Sequence, residues 1–477
     1  MIPRSGKPVD VLIVNPPSPD GTVYMREICR CGRQSREGMI WPQTSLAFIA
    51  GAVDERFSVD IVDCIGENID WPRFEEILRQ KRPRYLVTYL ISSIIYNDLR
   101  AARLAGELGA TTIAIGPHVT TMPESIADFP EVDYAIRGEV EETIVELLDH
   151  LEEGSEPAGV KGIAYCRGGS VTVTGDRPLL EDLGKLPRPR QDLLPLDHYR
   201  MPMIDGPFTM VTTSRGCPYP CIFCRKMALW GNRVRLRPVD DIFAELLWLN
   251  ELGVDNVVFL ADLFTVNRKQ VIDLCKRIVE ARLPLKWQCN SRVDHIDEEL
   301  LAWMKRAGCW QIAFGLESGS QEVLDRARKE IAIEQAKTAI DLVDRFGIKS
   351  WGYFIIGLPG ETKETIRATI DLAKRLPLNL ALFHVAVPYP GTEFSDLARE
   401  HGWLLSDRWE DLDMNYSAIV EYPQLPAKEI DRWAKRAFLE WYLRPAPALR
   451  LLGSVRDART LKAVGRNIVR HLRWLGS

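Results

Sequence analysis

The sequence predicts an α/β protein with a doubly wound parallel sheet first, a partly closed barrel of six βα units second, and a small helical region last. Three observations lead there. Short, β-rich apolar runs alternate with helical patterns through the first 150 residues and again from 209 to 388. A stretch containing a hairpin pattern and many prolines separates the two series, and no strand pattern follows residue 400. The composition, 46% hydrophobic and 27% charged over 477 residues, is that of an ordinary globular chain and excludes a disordered one.

The first series reads DVLIVNPP (10–17), VDIVDC (59–64), RYLVTYL (84–90), TTIAIGP (111–117) and DYAIRG (133–138), with helical segments between them. Five strands in this arrangement make a doubly wound, flavodoxin-like sheet over residues 1–151. Ligands of such sheets bind beyond the carboxyl ends of the strands. Those ends are Asn15-Pro16-Pro17, Asp63-Cys64, Ser92-Ser93, Gly116-Pro117-His118 and Arg137-Gly138-Glu139. Residues 152–208 hold the hairpin pattern GIAYCRGGSVTVTG, with Gly168-Gly169 at its turn, and a Pro-rich linker expected to mark a domain boundary. The second series spans 209–399: TMVTTSRG, NVVFLAD, LKWQCN, WQIAFGLE, KSWGYFIIG and LALFHVAVP, each but the last followed by a helical segment. Six parallel units of this kind form a partial, TIM-like (β/α)6 barrel, whose chemistry sits at the carboxyl mouth of its strands. Residues 400–477 form the helical C-terminal region.

Lys and Arg number 61 against 66 Asp and Glu, a net charge of −5, so no nucleic acid partner is expected. The tail departs from this balance. From Arg444 to Ser477 eight basic residues face one acidic residue, Asp457, giving +7 against −12 for the remainder. Val455, Ala458, Leu461, Val464, Ile468, Leu472 and Leu475 recur at helical spacing beside that basic face. A terminal helix docked on the acidic body is the first reading, and peripheral membrane contact the second. No apolar run approaches the ~20 residues that cross a bilayer. The opening MIPRSGKPVDVLIV lacks the pattern of a secretory signal, so a cytoplasmic address is expected, with membrane association through the tail as its variant.

Ten cysteines are too sparse for a disulfide scaffold, but three of them fall together in Ser214-Arg215-Gly216-Cys217-Pro218-Tyr219-Pro220-Cys221-Ile222-Phe223-Cys224. This loop follows the first barrel strand directly, which brings three thiolates to the mouth of the barrel. A closed zinc site or a fully ligated cluster needs four ligands, so three imply a metal centre with one open position. Zinc with a distant fourth ligand and three unrelated core thiols are the competing readings. Cys29-Arg30-Cys31 is an incomplete second set, read as loop thiols. Cys64, Cys166, Cys275, Cys289 and Cys309 read as core residues.

The spacing Cys-x3-Cys-x2-Cys, with an aromatic residue before the last cysteine, resembles the signature of radical S-adenosylmethionine (AdoMet) enzymes. The resemblance implies a [4Fe-4S] cluster on Cys217, Cys221 and Cys224, whose fourth iron binds AdoMet and whose reduction releases a 5′-deoxyadenosyl radical. It implies further AdoMet contacts, each at a strand end. Asp262, in Leu260-Ala261-Asp262, would accept from the amine, although the usual Gly-Gly-Glu form is absent. Arg292, in Cys289-Asn290-Ser291-Arg292, would face the carboxylate. Glu317 and Ser318, in Gly315-Leu316-Glu317-Ser318-Gly319, would meet polar groups. Gly357, in Gly357-Leu358-Pro359-Gly360-Glu361, would let the backbone approach the adenine, and Phe223 would contribute backbone bonds to the adenine edge. An external electron donor such as flavodoxin or ferredoxin is implied as a partner.

The N-terminal segments Trp41-Pro42-Gln43-Thr44-Ser45-Leu46-Ala47, Tyr96-Asn97-Asp98, Gly116-Pro117-His118 and Arg137-Gly138-Glu139-Val140-Glu141-Glu142-Thr143 resemble the cobalamin-binding domain that precedes the barrel in one class of these enzymes. Ser92 and Gly116, at the sheet's ligand edge, are the corresponding candidates. No lower-axial His motif is present, and His118 reads as a satisfied loop histidine. Tyr219, Trp230 and Tyr389 are candidates for lining the substrate space, with packing as the plainer reading.

Together these imply cobalamin-dependent methylation of an unactivated carbon in a small molecule or lipid. The alternative is a radical dehydratase, cyclase or decarboxylase of natural-product or tetrapyrrole biosynthesis. A zinc or redox-sensing module without turnover is the reading from another class. Neither a substrate nor a catalytic residue is legible.

Overall fold

The computed structural model describes residues 7–27, 33–35, 38–201, 204 and 206–445. Cys29, Cys31 and the amphipathic tail therefore lie outside the described residues. The chain divides into two compact units, Met1–Tyr199 with Ala228–Trp230, and Arg200–Met227 with Gly231–Ser477.

The first unit is built on β1 (Val11–Asn15), β2 (Val59–Asp63), β3 (Tyr85–Tyr89), β4 (Thr111–Ile115) and β5 (Tyr134–Ile136). β1 and β3 are buried along their whole length, which is why they read as unbroken apolar runs rather than alternating ones. The order is β2-β1-β3-β4-β5, parallel throughout, with the direction of strand order reversing beside β1. The hairpin expected in the linker is instead part of this sheet. Its strands β6 (Ile163–Arg167) and β7 (Ser170–Val173) continue the sheet antiparallel beyond β5, pairing Ile163 with Ile136 and Tyr165 with Tyr134. Covering the open edge of β5 satisfies backbone groups that would otherwise stand unpaired. Cys166, expected in the core, is exposed because it lies in this outer hairpin. The Pro-rich stretch also packs on the first unit: Arg190 N–H donates to the Ala47 carbonyl at 2.9 Å.

The carboxyl ends of β1 and β2 converge on a closed polar network. Arg26, fully buried, forks onto Asp98 at 2.7 and 3.2 Å and donates to Asn15 Oδ1 at 3.0 Å. Asn15 donates in turn to Asp63 at 2.6 Å, and the Tyr199 hydroxyl reaches the other Asp63 oxygen at 2.7 Å. Burial pushes both carboxyls up, against the pull of Arg26.

The second unit carries β8 (Phe208–Thr212), β9 (Asn256–Leu260), β10 (Lys286–Ser291), β11 (Cys309–Glu317), β12 (Lys349–Ile356) and β13 (Leu380–Val385). They pair in chain order, all parallel, and form an open sheet of six strands, the partial barrel the sequence predicts. Side-chain caps fix where several mouth loops end. Asn267 accepts from Gln270 N–H at the start of helix 268–280, Asp297 from Leu300 N–H, and Thr362 from Thr365 N–H. The described part of the C-terminal region carries a helix over Ala427–Tyr442. Among the described residues no helix is long and apolar enough to cross a membrane.

Removing Asp98 strands the Arg26 charge in the interior. Asp98→Ala should therefore lower unfolding free energy by about 3–5 kcal/mol, read by urea denaturation of the full chain; a loss of under about 1 kcal/mol would contradict the network's role.

Candidate active site on the cysteine loop

The loop after β8 carries Cys217, Cys221 and Cys224, all half-buried and free of disulfides. Cys224 N–H donates to the Cys221 carbonyl at 3.1 Å, so the second pair sits on a tight turn. A loop this rich in Gly and Pro has no internal ladder, and its neighbours fix it. Asp262, just beyond β9, accepts from Gly216 N–H at 2.7 Å through one oxygen, while Lys226 Nζ lies 3.5 Å from the other. Lys226 also donates to the Asp262 carbonyl at 2.8 Å. One residue thus ties down both ends of the cysteine segment.

Four further contacts hold its middle. The Tyr219 hydroxyl shares a hydrogen bond with His295 Nε2 at 2.6 Å, and the Arg292 guanidinium lies 3.3 Å from the Tyr219 ring centre. Ile222 N–H donates to the Ala327 carbonyl at 3.2 Å, and the Ile222 carbonyl accepts from Phe394 N–H at 3.0 Å. Buried Arg225 stands 5.0 Å over the Tyr389 ring, which gives Tyr389 a packing role. Phe223 is half-buried on the same loop.

Among the described residues no three His, Cys, Asp or Glu side chains are gathered closely enough to hold one ion. A cube of irons asks each thiolate to reach only its own iron, so three thiols on one loop, none of them in a disulfide, fit that group.

The other expected residues stand at strand ends, some with different partners. Arg292 follows β10, but its fork is spent on Asp294 at 3.0 and 2.9 Å and on the carbonyls of Lys329 and Glu330, both at 2.7 Å. Despite partial burial, this fork holds Asp294 below the ordinary carboxylate range. Glu317 ends β11 after a register shift, at a φ of 59°, a strained conformation for a non-glycine residue. Its buried carboxylate meets Lys329 Nζ at 2.7 Å. Burial opposes the Lys329 charge, yet Glu317 and Cys221 outweigh it and raise its pKa. Burial pushes the Cys221 thiol up against the pull of Lys329. Ser318 bonds Thr369 at 3.1 Å. Gly357, at the end of β12 with φ 98°, has a packing reason for lacking a side chain, because a methyl there would lie 2.9 Å from Ile430 Cγ2. Glu361 accepts from Gly357 N–H and from Leu358 N–H at 3.2 Å, and burial pushes it up to about 8.

Sequence reasoning gave no role to Lys226, Asp294 or Lys329: Lys226 meets Asp262 beyond the next strand, Lys329 meets Glu317 across a helix, and nothing in the sequence marks Asp294 as the partner of Arg292 two residues before it.

On the first unit Ser92 Oγ meets His118 Nδ1 at 3.0 Å, and His118 Nε2 meets Ser125 Oγ at 3.1 Å, so both ring nitrogens are satisfied. Gly116 is required by packing, since a methyl there would press on the Leu90 carbonyl at 2.8 Å. Two buried oxygens near the sheet's carboxyl edge, Gln43 Oε1 and Thr88 Oγ1, have no hydrogen-bond partner. Such groups suit a ligand fringed with amide donors, as a corrin is.

Comparison with known proteins agrees with this architecture. Residues 211–373 match the radical SAM superfamily. An uncharacterized methyltransferase of Pyrococcus horikoshii is 34% identical over 413 residues, covering 86% of this chain and 89% of that protein. The anaerobic magnesium-protoporphyrin IX monomethyl ester cyclase of Rubrivivax gelatinosus is 30% identical over 374 residues, 76% of this chain and 66% of the relative. In fold, the chain resembles the radical AdoMet methyltransferase TsrM of Kitasatospora setae, solved with cobalamin and a [4Fe-4S] cluster, with a TM-score of 0.73 at 17% identity over 98% of this chain and 99% of that one. The cobalamin-dependent radical enzyme OxsB gives 0.73 at 15% identity, over 98% and 72%. The chain belongs to the radical SAM enzymes, with the fold of TsrM and OxsB.

Proposed function

We propose that this protein is a cobalamin-dependent radical AdoMet enzyme that methylates an unactivated carbon of a small molecule or lipid. The observation that carries the reading is the set of three cysteines, none in a disulfide, on a pinned loop after the first strand of a six-stranded parallel sheet. Cys217, Cys221 and Cys224 would hold the cluster, and the incomplete ligand set leaves an iron open for AdoMet. When bound, these groups supply a carbon radical that abstracts hydrogen, and cobalamin supplies the methyl group.

The remaining work belongs to the chain. Glu317, Ser318 and the Gly357 turn would receive AdoMet, with Phe223 beside them. Asp262 and Arg292 fit better as holders of the cysteine loop, since their polar atoms are already engaged there. The first unit would take cobalamin at the edge carrying Thr88, Gln43, Ser92 and Gly116. We take 209–399 as the catalytic segment and 400–477 as a source of specificity. An external flavodoxin or ferredoxin would deliver the electron, and the basic tail would supply any membrane contact. The 30% identical cyclase favours a second reading, radical chemistry without methyl transfer.

Anaerobic reconstitution with iron and sulfide should give a brown protein, and Cys217→Ala should abolish its visible absorbance; a colourless wild-type protein holding zinc would overturn the proposal. Incubated with AdoMet, reductant and substrate, the wild type should yield both S-adenosylhomocysteine and 5′-deoxyadenosine, whereas deoxyadenosine alone would select the second reading. Asp262→Ala should retain less than half the wild-type iron after gel filtration, while Asp262→Asn, which still accepts from Gly216, should retain most of it. Equal iron in all three would remove the loop-holding role.

A further inference from the structure

The turn at the end of β12 is braced by the C-terminal region. The buried Tyr422 hydroxyl donates to the Gly357 carbonyl at 2.8 Å, and Gln424 Nε2 donates to the Glu361 carbonyl at 3.2 Å. Ile430, on the helix 427–442, fills the space a side chain at 357 would need. From inside, the Glu361 carboxyl accepts from the first two N–H groups of the turn. Held mostly neutral near pH 7, it does so without placing a full charge beside a bound nucleoside.

Gly357 and Gly360 both adopt left-handed φ, 98° and 84°. A turn with two such glycines has much conformational freedom to lose on binding, and fixing it beforehand reduces that loss.

We infer that Tyr422, with Gln424 and Ile430, forms a positioning element that presets the β12 turn for AdoMet, so that AdoMet binding and docking of the C-terminal region are thermodynamically linked. This rests on the AdoMet reading above. Linkage is reciprocal, so AdoMet occupancy should also steady the 419–430 segment. The region assigned to specificity would then report its state to the cofactor site through three contacts.

The test uses the anaerobically reconstituted full chain and S-adenosylhomocysteine, an unreactive probe of the same site. Tyr422→Phe removes one buried hydrogen bond and should weaken calorimetric affinity about three- to tenfold, with iron content and the cluster's absorbance at wild-type levels. Hydrogen exchange of residues 419–430 should slow on adding the probe to wild type and slow less in Tyr422→Phe. Should that variant fail to fold, Gln424→Ala carries the same test at an exposed position. Unchanged affinity together with unchanged exchange in a folded variant would overturn the inference. Absence of probe binding to the wild type itself would instead overturn the AdoMet reading beneath it.

Discussion

Asp262 is the residue on which the site depends. A loop containing Gly216, Pro218 and Pro220 cannot organise itself, because it has few backbone donors and no regular ladder. The carboxylate beyond β9 takes the N–H just before the first cysteine and faces the ammonium just after the last, so the thiols are placed by a strand end rather than by one another. That arrangement keeps the sulfurs out of any disulfide. The contacts through Tyr219, Ile222 and Arg225 refine the placement from β10, β11 and the segment after β13.

The charges around the loop have a common logic. Arg292 and Lys329 are buried cations beside a site built for thiolates, and each is tied to a carboxylate of its own, Asp294 or Glu317. Lone buried cations would be costly, and paired ones keep the field local while orienting the 327–330 segment that meets Ile222. The first unit uses the same device at its switch point, where Arg26 is balanced by Asp98 and by the Asn15–Asp63 pair. On the same unit the buried oxygens of Gln43 and Thr88 carry no hydrogen bond.

Much of this was legible in the residues. Parallel strands buried on both faces announce themselves as apolar runs, and all eleven expected strands of the two series form, nine of them within two residues of their predicted bounds, while the runs at 209–216 and 380–388 end four and three residues early. The cysteine spacing is local and survives any change of register. What could not be read depends on partners distant in sequence. Arg292 looks like a cation aimed at a ligand until Asp294 and the carbonyls of 329 and 330 claim its fork. Gly357 reads as room for adenine, but Ile430, 73 residues later, also demands that room. The hairpin at 163–173 reads as a spacer because its sequence cannot reveal that β5 has an edge to cover.

The central claim is an iron left open by three protein thiolates. Mössbauer spectroscopy of the protein reconstituted with iron-57 tests it most directly, before and after addition of AdoMet. The account predicts a [4Fe-4S] cluster in which one iron is set apart from the other three once AdoMet is present. Four irons that remain indistinguishable with AdoMet in excess, or the absence of any cluster signal from correctly folded protein, would contradict it.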